Sequence, residues 1–197
     1  MALDAKNAGI DDIMIHNIGL IPVMKKVGMT IHGGFGLNVF NSRALDAFAE
    51  AGVADNELSY ELTMNQAAAL SSSQPRGLIN RGRIPMMLTR NCPAAVSPKG
   101  CIGTAKEGGV CGIIDRTGRE LPVICRRSCS EIFNPVMMSV AENVSGRSAE
   151  NLSLDWVTMR FTEVDDEQCA RIISEYVEGS VKREIGITSG LYFKGVL

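Results

Sequence analysis

Five of the six cysteines, Cys92, Cys101, Cys111, Cys125 and Cys129, fall in one short stretch, spaced Cys-x8-Cys-x9-Cys-x13-Cys-x3-Cys, and Cys169 stands apart. Thiolates are soft ligands that hold iron–sulfur clusters or zinc. The stretch has no Cys-x2-Cys pair, so the usual zinc-ribbon spacing is absent. The two histidines, His16 and His32, lie far upstream and do not complete a mixed site. Cys111 and Cys125 flank a segment that reads as a hairpin, whose strands return to nearly the same place. Loop and hairpin cysteines can therefore converge on one inorganic core. The plainer alternative is a set of unligated thiols, since free cysteine is among the most buried residue types. Cys169, beside Ile172 on an amphipathic helix, reads as core.

Other side chains offer different chemistry. Asn17, Asn38, Asn41 and Glu61 fall at expected strand ends, where polar residues contact ligands rather than pack a core. Arg81, Arg83 and Arg90 suit an anionic small molecule or an RNA substrate; the bland reading is that they are paired or solvated. Asp115 and Arg116 either orient a site or support their own turn. A cysteine nucleophile would need a nearby base, and Cys92 with His32 is the one pairing on offer. There is no His-Glu-x-x-His helix and no Gly-x-Ser-x-Gly elbow. His16, on an apolar strand, reads as a structural histidine, and Met86, Met87, Met137 and Met138 as core filler.

The elements that must position these residues follow a rhythm of about 25 residues. Residues 12–18 read as a buried strand. A helix over 20–27 ends at Gly28, and a second strand starts at Met29. That strand runs into the glycine-rich loop Gly33-Gly34-Phe35-Gly36. Ser42 caps a helix to about Ala51. Residues 57–62 read as a third strand, and Thr63 caps a helix through Leu70. Alternating strands and helices with short loops argue for parallel strands joined by crossover helices. In such βα folds the strands' C-terminal ends face the site.

The middle breaks the rhythm. Residues 77–90 read as a hairpin or bent strand near Arg81-Gly82. Residues 91–112 form a long loop, and 111–125 a hairpin about Thr117-Gly118. A helix near 134–143, a strand at 154–161 and a helix over 165–178 complete the pattern. The expectation is one α/β domain over 1–197, a partial TIM-barrel-like repeat of about four βα units, with 77–130 inserted. A closed eight-stranded barrel takes about 250 residues. The shorter chain implies a missing N-terminal half, or a homo-oligomeric partner that covers the open edge. With 45 % hydrophobic and 21 % charged residues, a net charge of −2 and no long apolar run, nothing points to a membrane. A cytoplasmic location is the default expectation.

Several segments together resemble the peptidase U32 family. They are Phe35–Ser42, Arg83–Pro93, Ile114–Val123, Glu131–Pro135 and Thr188–Val196, in the family's order and over nearly the whole chain. The resemblance implies a TIM-barrel-like core. It also implies one of two activities: collagenase-like proteolysis, or oxygen-independent hydroxylation of RNA bases or ubiquinone precursors. Prephenate is linked to several such members. In the hydroxylation factors four cysteines hold a [4Fe–4S] cluster. By motif these match Cys92, Cys101 and Cys125, with Cys111 as the fourth and Cys129 its alternative. Zinc is the alternative metal. The favoured expectation is thus an iron–sulfur-dependent modification enzyme acting on an RNA base or a small aromatic substrate. A U32-type peptidase is the alternative, and an inactive fragment needing an N-terminal half the third. The expected substrate contacts are Asn38, Glu61, Arg90, Asp115 and Arg116.

Overall fold

The structure is a computed structural model and describes residues 2–91, 93, 110–125, 129–144, 152–162 and 164–194. The chain forms two compact units. One comprises residues 1–81, 139–183 and 189–197; the other comprises 82–138 with 184–188. The insertion expected over 77–130 can be set beside this second unit.

The first unit is a βα repeat. Helix α1 (Ala2–Asn7) precedes β1 (Asp12–Ile15), α2 (Ile21–Val27), β2 (Thr30–Gly33), α3 (Ser42–Glu50), β3 (Asp55–Glu57), α4 (Met64–Ala68) and β4 (Arg76–Gly82). After the second unit the chain returns through β10 (Trp156–Met159), followed by α5 (Asp166–Glu178). The sheet order is β1-β2-β3-β4-β10, with every neighbouring pair parallel. It is a curled, open half-barrel of α/β type, the partial (βα) architecture read from the sequence.

Local chemistry sets the element ends. Gly28 takes the left-handed conformation (φ 77°) that closes α2. Asn41, not Ser42, caps α3: its side chain accepts the Ala44 N–H, while the Ser42 hydroxyl accepts the Ser71 N–H. Thr63 and Gln66 form a reciprocal capping box on α4. The third strand is three residues long and lies earlier than expected. Leu58 still bridges Val39 in parallel, with its N–H on the Gly77 carbonyl and the Ser59 N–H on the Val39 carbonyl; the chain turns away after it, where the Leu62 N–H reaches back to the Ser59 carbonyl.

Residues paired across a parallel ladder share a face of the sheet. One face carries Ile13, Ile15, Ile31, Gly33, Asn56 and Leu78. There Ile15 and Ile31 cluster with Ile21 and Met24 of α2, so this is the helix-covered face. The inner face carries Asp12, Met14, Thr30, His32, Asp55, Glu57, Gly77 and Trp156. In a closed barrel that side would point at further strands. Gly77 is required here, because a Cβ would sit 2.2 Å from the Trp156 ring.

The second unit is a four-stranded antiparallel sheet, ordered β5 (Pro85–Thr89), β8 (Ser130–Phe133), β7 (Glu120–Cys125) and β6 (Val110–Ile114). The expected 111–125 hairpin is β6–β7. Of the two readings of residues 77–90, a hairpin or a bent strand near Arg81-Gly82, the hairpin is not formed, since β4 joins the parallel sheet and β5 the antiparallel one. Gly82, at φ 145°, marks the divide. Nor do residues 134–143 form a helix. Pro135 and an Asn134 side chain that accepts the Val136 N–H start a turn, and the two-residue β9 (Met138–Ser139) follows. Met86 and Met87 are not core filler but lie 62 % and 57 % exposed on β5, while Met138 is buried.

Candidate functional site

The strand ends of the first unit gather one cluster. After β1 comes His16, after β2 Phe35, after β3 Tyr60 and after β10 Arg160. The His16 and Phe35 rings lie 4.7 Å apart, and Phe35 and Tyr60 lie 6.0 Å apart. The Arg160 guanidinium stands 4.9 Å above the Phe35 ring, in cation–π range. Backbone bonds fix these ends: Gly34 N–H to the Ile15 carbonyl, Leu58 N–H to the Gly77 carbonyl, and Arg160 N–H to the Arg81 carbonyl.

The glycine-rich loop makes this arrangement possible. A Cβ on Gly34 would lie 2.2 Å from the His16 ring, and one on Gly36 would lie 2.6 Å from its Cβ. Only a backbone without side chains can cross His16 this closely. The Gly36 N–H donates to His16 Nδ1 at 3.2 Å, which favours the tautomer with its proton on Nε2. His16 is exposed, a ring on the rim of the strand ends that accepts this backbone hydrogen bond.

Beneath Phe35 lies Glu57, on the inner face and 1 % exposed. Its Oε2 accepts the Phe35 N–H at 2.8 Å, whereas Oε1 has no hydrogen-bond partner. Leaving a buried polar oxygen unmatched costs about 1–3 kcal/mol. Tyr192, also buried, donates its hydroxyl to the Ile79 carbonyl. Burial drives that phenol far above its ordinary range, and the nearby Glu57 carboxylate adds to the effect. Burial also raises the Tyr60 phenol, Glu61 adding to the shift and Arg160 opposing it. Tyr60 is therefore a neutral donor, and Glu61 and Arg160 are within its electrostatic reach.

The expected contacts divide between the units. Asn38 is exposed at the end of the turn that carries Phe35, in the left-handed conformation (φ 50°). Glu61, half-buried, follows Tyr60. Asn17 and Asn41 cap helices, their side chains accepting the Gly19 and Ala44 N–H groups. In the second unit Arg90 ends β5, beyond the Thr89–Ser130 pair, while Asp115 and Arg116 occupy the β6–β7 tip at the opposite end of the sheet. That sheet therefore does not bring Arg90 together with Asp115 and Arg116. Asp115 serves its turn: its Oδ1 accepts from the Thr117 N–H and hydroxyl and from the Arg119 N–H, which lower its pKa. Arg83 donates to the Asn134 and Pro135 carbonyls.

Cys92 and Cys101 lie outside the described residues. Cys111 and Cys125 share a face of the hairpin, since Cys111 pairs with Val123, two residues from Cys125. Cys125 is buried, its sulfur 4.0 Å from the Ser130 hydroxyl, and Cys111 and Cys129 are half-buried free thiols. Among the described residues no three His, Cys, Asp or Glu side chains form a group able to hold a metal. That overturns the expectation of a [4Fe–4S] cluster on these cysteines, and of zinc in its place. His32, whose expected partner Cys92 lies outside the described residues, is a strand residue. It lies within β2, its Nδ1 2.7 Å from Asp55 and its Nε2 3.1 Å from Asp12.

No protein-family model, curated protein or solved structure matches the chain. With no metal group among the described residues, the expected iron–sulfur and metal-binding character is corrected; nothing indicates peptidase or hydrolase activity, and what is supported is an α/β fold. No helix among the described residues is long and apolar enough to cross a membrane.

Sequence reasoning passed over Phe35, Glu57, Tyr60 and Arg160. One signal for them was present: an aromatic flanked by Gly33, Gly34 and Gly36 at a strand end.

Proposed function

We propose that the strand ends of the first unit bind a small, flat, anionic molecule, in its simplest form an aromatic carboxylate. On this reading the chain is a U32-type α/β scaffold that presents such a substrate for modification. The observation that carries the proposal is the shared Phe35 ring, approached by His16, Tyr60 and Arg160 from three other strands. Aromatic edges and faces suit a planar ring. A guanidinium has five donors, so it can hold a carboxylate while keeping other contacts. The position at the C-terminal ends of parallel strands is where βα folds place their ligands.

Calorimetric titration with benzoate and cyclohexanecarboxylate tests this. Benzoate should bind saturably and more tightly than its non-planar analogue. Phe35→Leu should remove the preference for the flat ring, a loss of about 0.5–1.5 kcal/mol. Arg160→Gln should weaken both ligands, by about 1.5–3 kcal/mol for a charged hydrogen bond. Absence of benzoate binding, or equal affinity in both variants and wild type, would overturn the proposal.

A further inference from the structure

Among the described residues of the first unit, Glu57 is the one acid that is fully buried on the inner face at a strand end. One carboxylate oxygen is committed to the Phe35 N–H, 2.8 Å away, and the other has no partner. The neighbouring polar groups do not satisfy it. The Tyr192 hydroxyl is spent on the Ile79 carbonyl. Asn56, the preceding residue, is on the opposite, helix-covered face, where its amide packs against Gly33. An ionised carboxylate only accepts hydrogen bonds, so in that form the group that matches the second oxygen is a donor.

We propose that Glu57 is a specificity-determining residue that receives an O–H or N–H donor of the ligand, so that the preferred substrate is a hydroxylated or amino-substituted aromatic acid. This rests on the strand-end reading above. Phe35 links the two parts of the site, its backbone N–H held by Glu57 and its ring facing His16, Tyr60 and Arg160. A ligand whose ring lies on that cluster has the Glu57 carboxylate next to the backbone of the residue it stacks on. A site that holds an unmatched buried acceptor discriminates strongly, because an analogue without the donor leaves the penalty in place.

The test is a ligand series on the wild-type chain and on Glu57→Gln. The probes are benzoate, 3- and 4-hydroxybenzoate, 4-aminobenzoate, and the matching methoxybenzoates. At least one donor-bearing probe should bind about tenfold or more tightly than benzoate, the size of one charge-assisted hydrogen bond. Its methoxy counterpart should lose that gain. Glu57→Gln should lose most of the donor preference, the affinity ratio between the best donor-bearing probe and its methoxy counterpart falling toward one. If benzoate binds and no donor-bearing probe exceeds it in the wild type, this inference fails while the strand-end site stands. If no probe binds, both fail. The wild-type series decides the matter even where Glu57→Gln does not fold.

Discussion

His32 shows what a residue's surroundings do to its chemistry. Burial works against its charge, but hydrogen bonds and attraction from Asp12 and Asp55 outweigh it, and the pKa is raised above 6.5. The folded chain therefore holds this proton more tightly than the unfolded one. The resulting stabilisation is fully present below the ordinary value and is lost as pH rises through the raised folded value. Urea midpoints should accordingly fall between pH 6 and pH 9, and His32→Gln should shrink that fall. An equal fall in the variant would remove His32 from the account. Tyr192 gives a second residue-scale expectation. Tyr192→Phe deletes a buried hydroxyl and strands the Ile79 carbonyl, which should cost about 1–3 kcal/mol in equilibrium unfolding.

At the scale of elements, turn and cap chemistry decided what could be read. Gly28 ending α2 and Thr63 starting α4 were plain in the sequence, and both cap as expected. Residues 57–62 read as a strand, yet β3 stops at Glu57: Leu58 keeps only a single bridge to Val39, and the Leu62 N–H then closes a turn on the Ser59 carbonyl. Residues 134–143 looked helical, but the Asn134-Pro135 turn prevents it. The ligand site was illegible for another reason. Its rings and guanidinium come from strands distant in sequence that only the order and curl of the sheet bring together, and no local spacing records that. The cysteines were conspicuous because they are close in sequence, which is no measure of convergence in space. Two substitutions test the elements. Thr63→Ala should cost about 1 kcal/mol through loss of the α4 cap. Gly77→Ala should push against the chain's single tryptophan, Trp156, shifting its fluorescence and costing about 1–3 kcal/mol.

For the molecule as a whole, the open sheet sets the behaviour. Among the described residues β1 pairs only with β2. Six large apolar side chains in this region are exposed: Leu3, Ile10, Met14, Ile18, Leu20 and Val23. Behind them an apolar groove of about 480 Å³ runs between α2 and α3, lined by Ile18, Pro22 and Phe48 among others. Parallel sheets are ordinarily covered on both faces, and an uncovered edge is a template for association. Sedimentation velocity should show self-association, reduced by Met14→Lys combined with Ile18→Lys. A wild-type monomer at all concentrations would mean that the half-barrel tolerates its open edge.

The most direct test of the strand-end site is a benzoate titration followed by backbone amide chemical shifts. The account predicts that the saturable shifts concentrate on His16, Gly34 to Gly36, Tyr60 and Arg160, with residues 115–119 of the hairpin tip unmoved. Shifts centred on the hairpin tip, or none at any concentration, would contradict it.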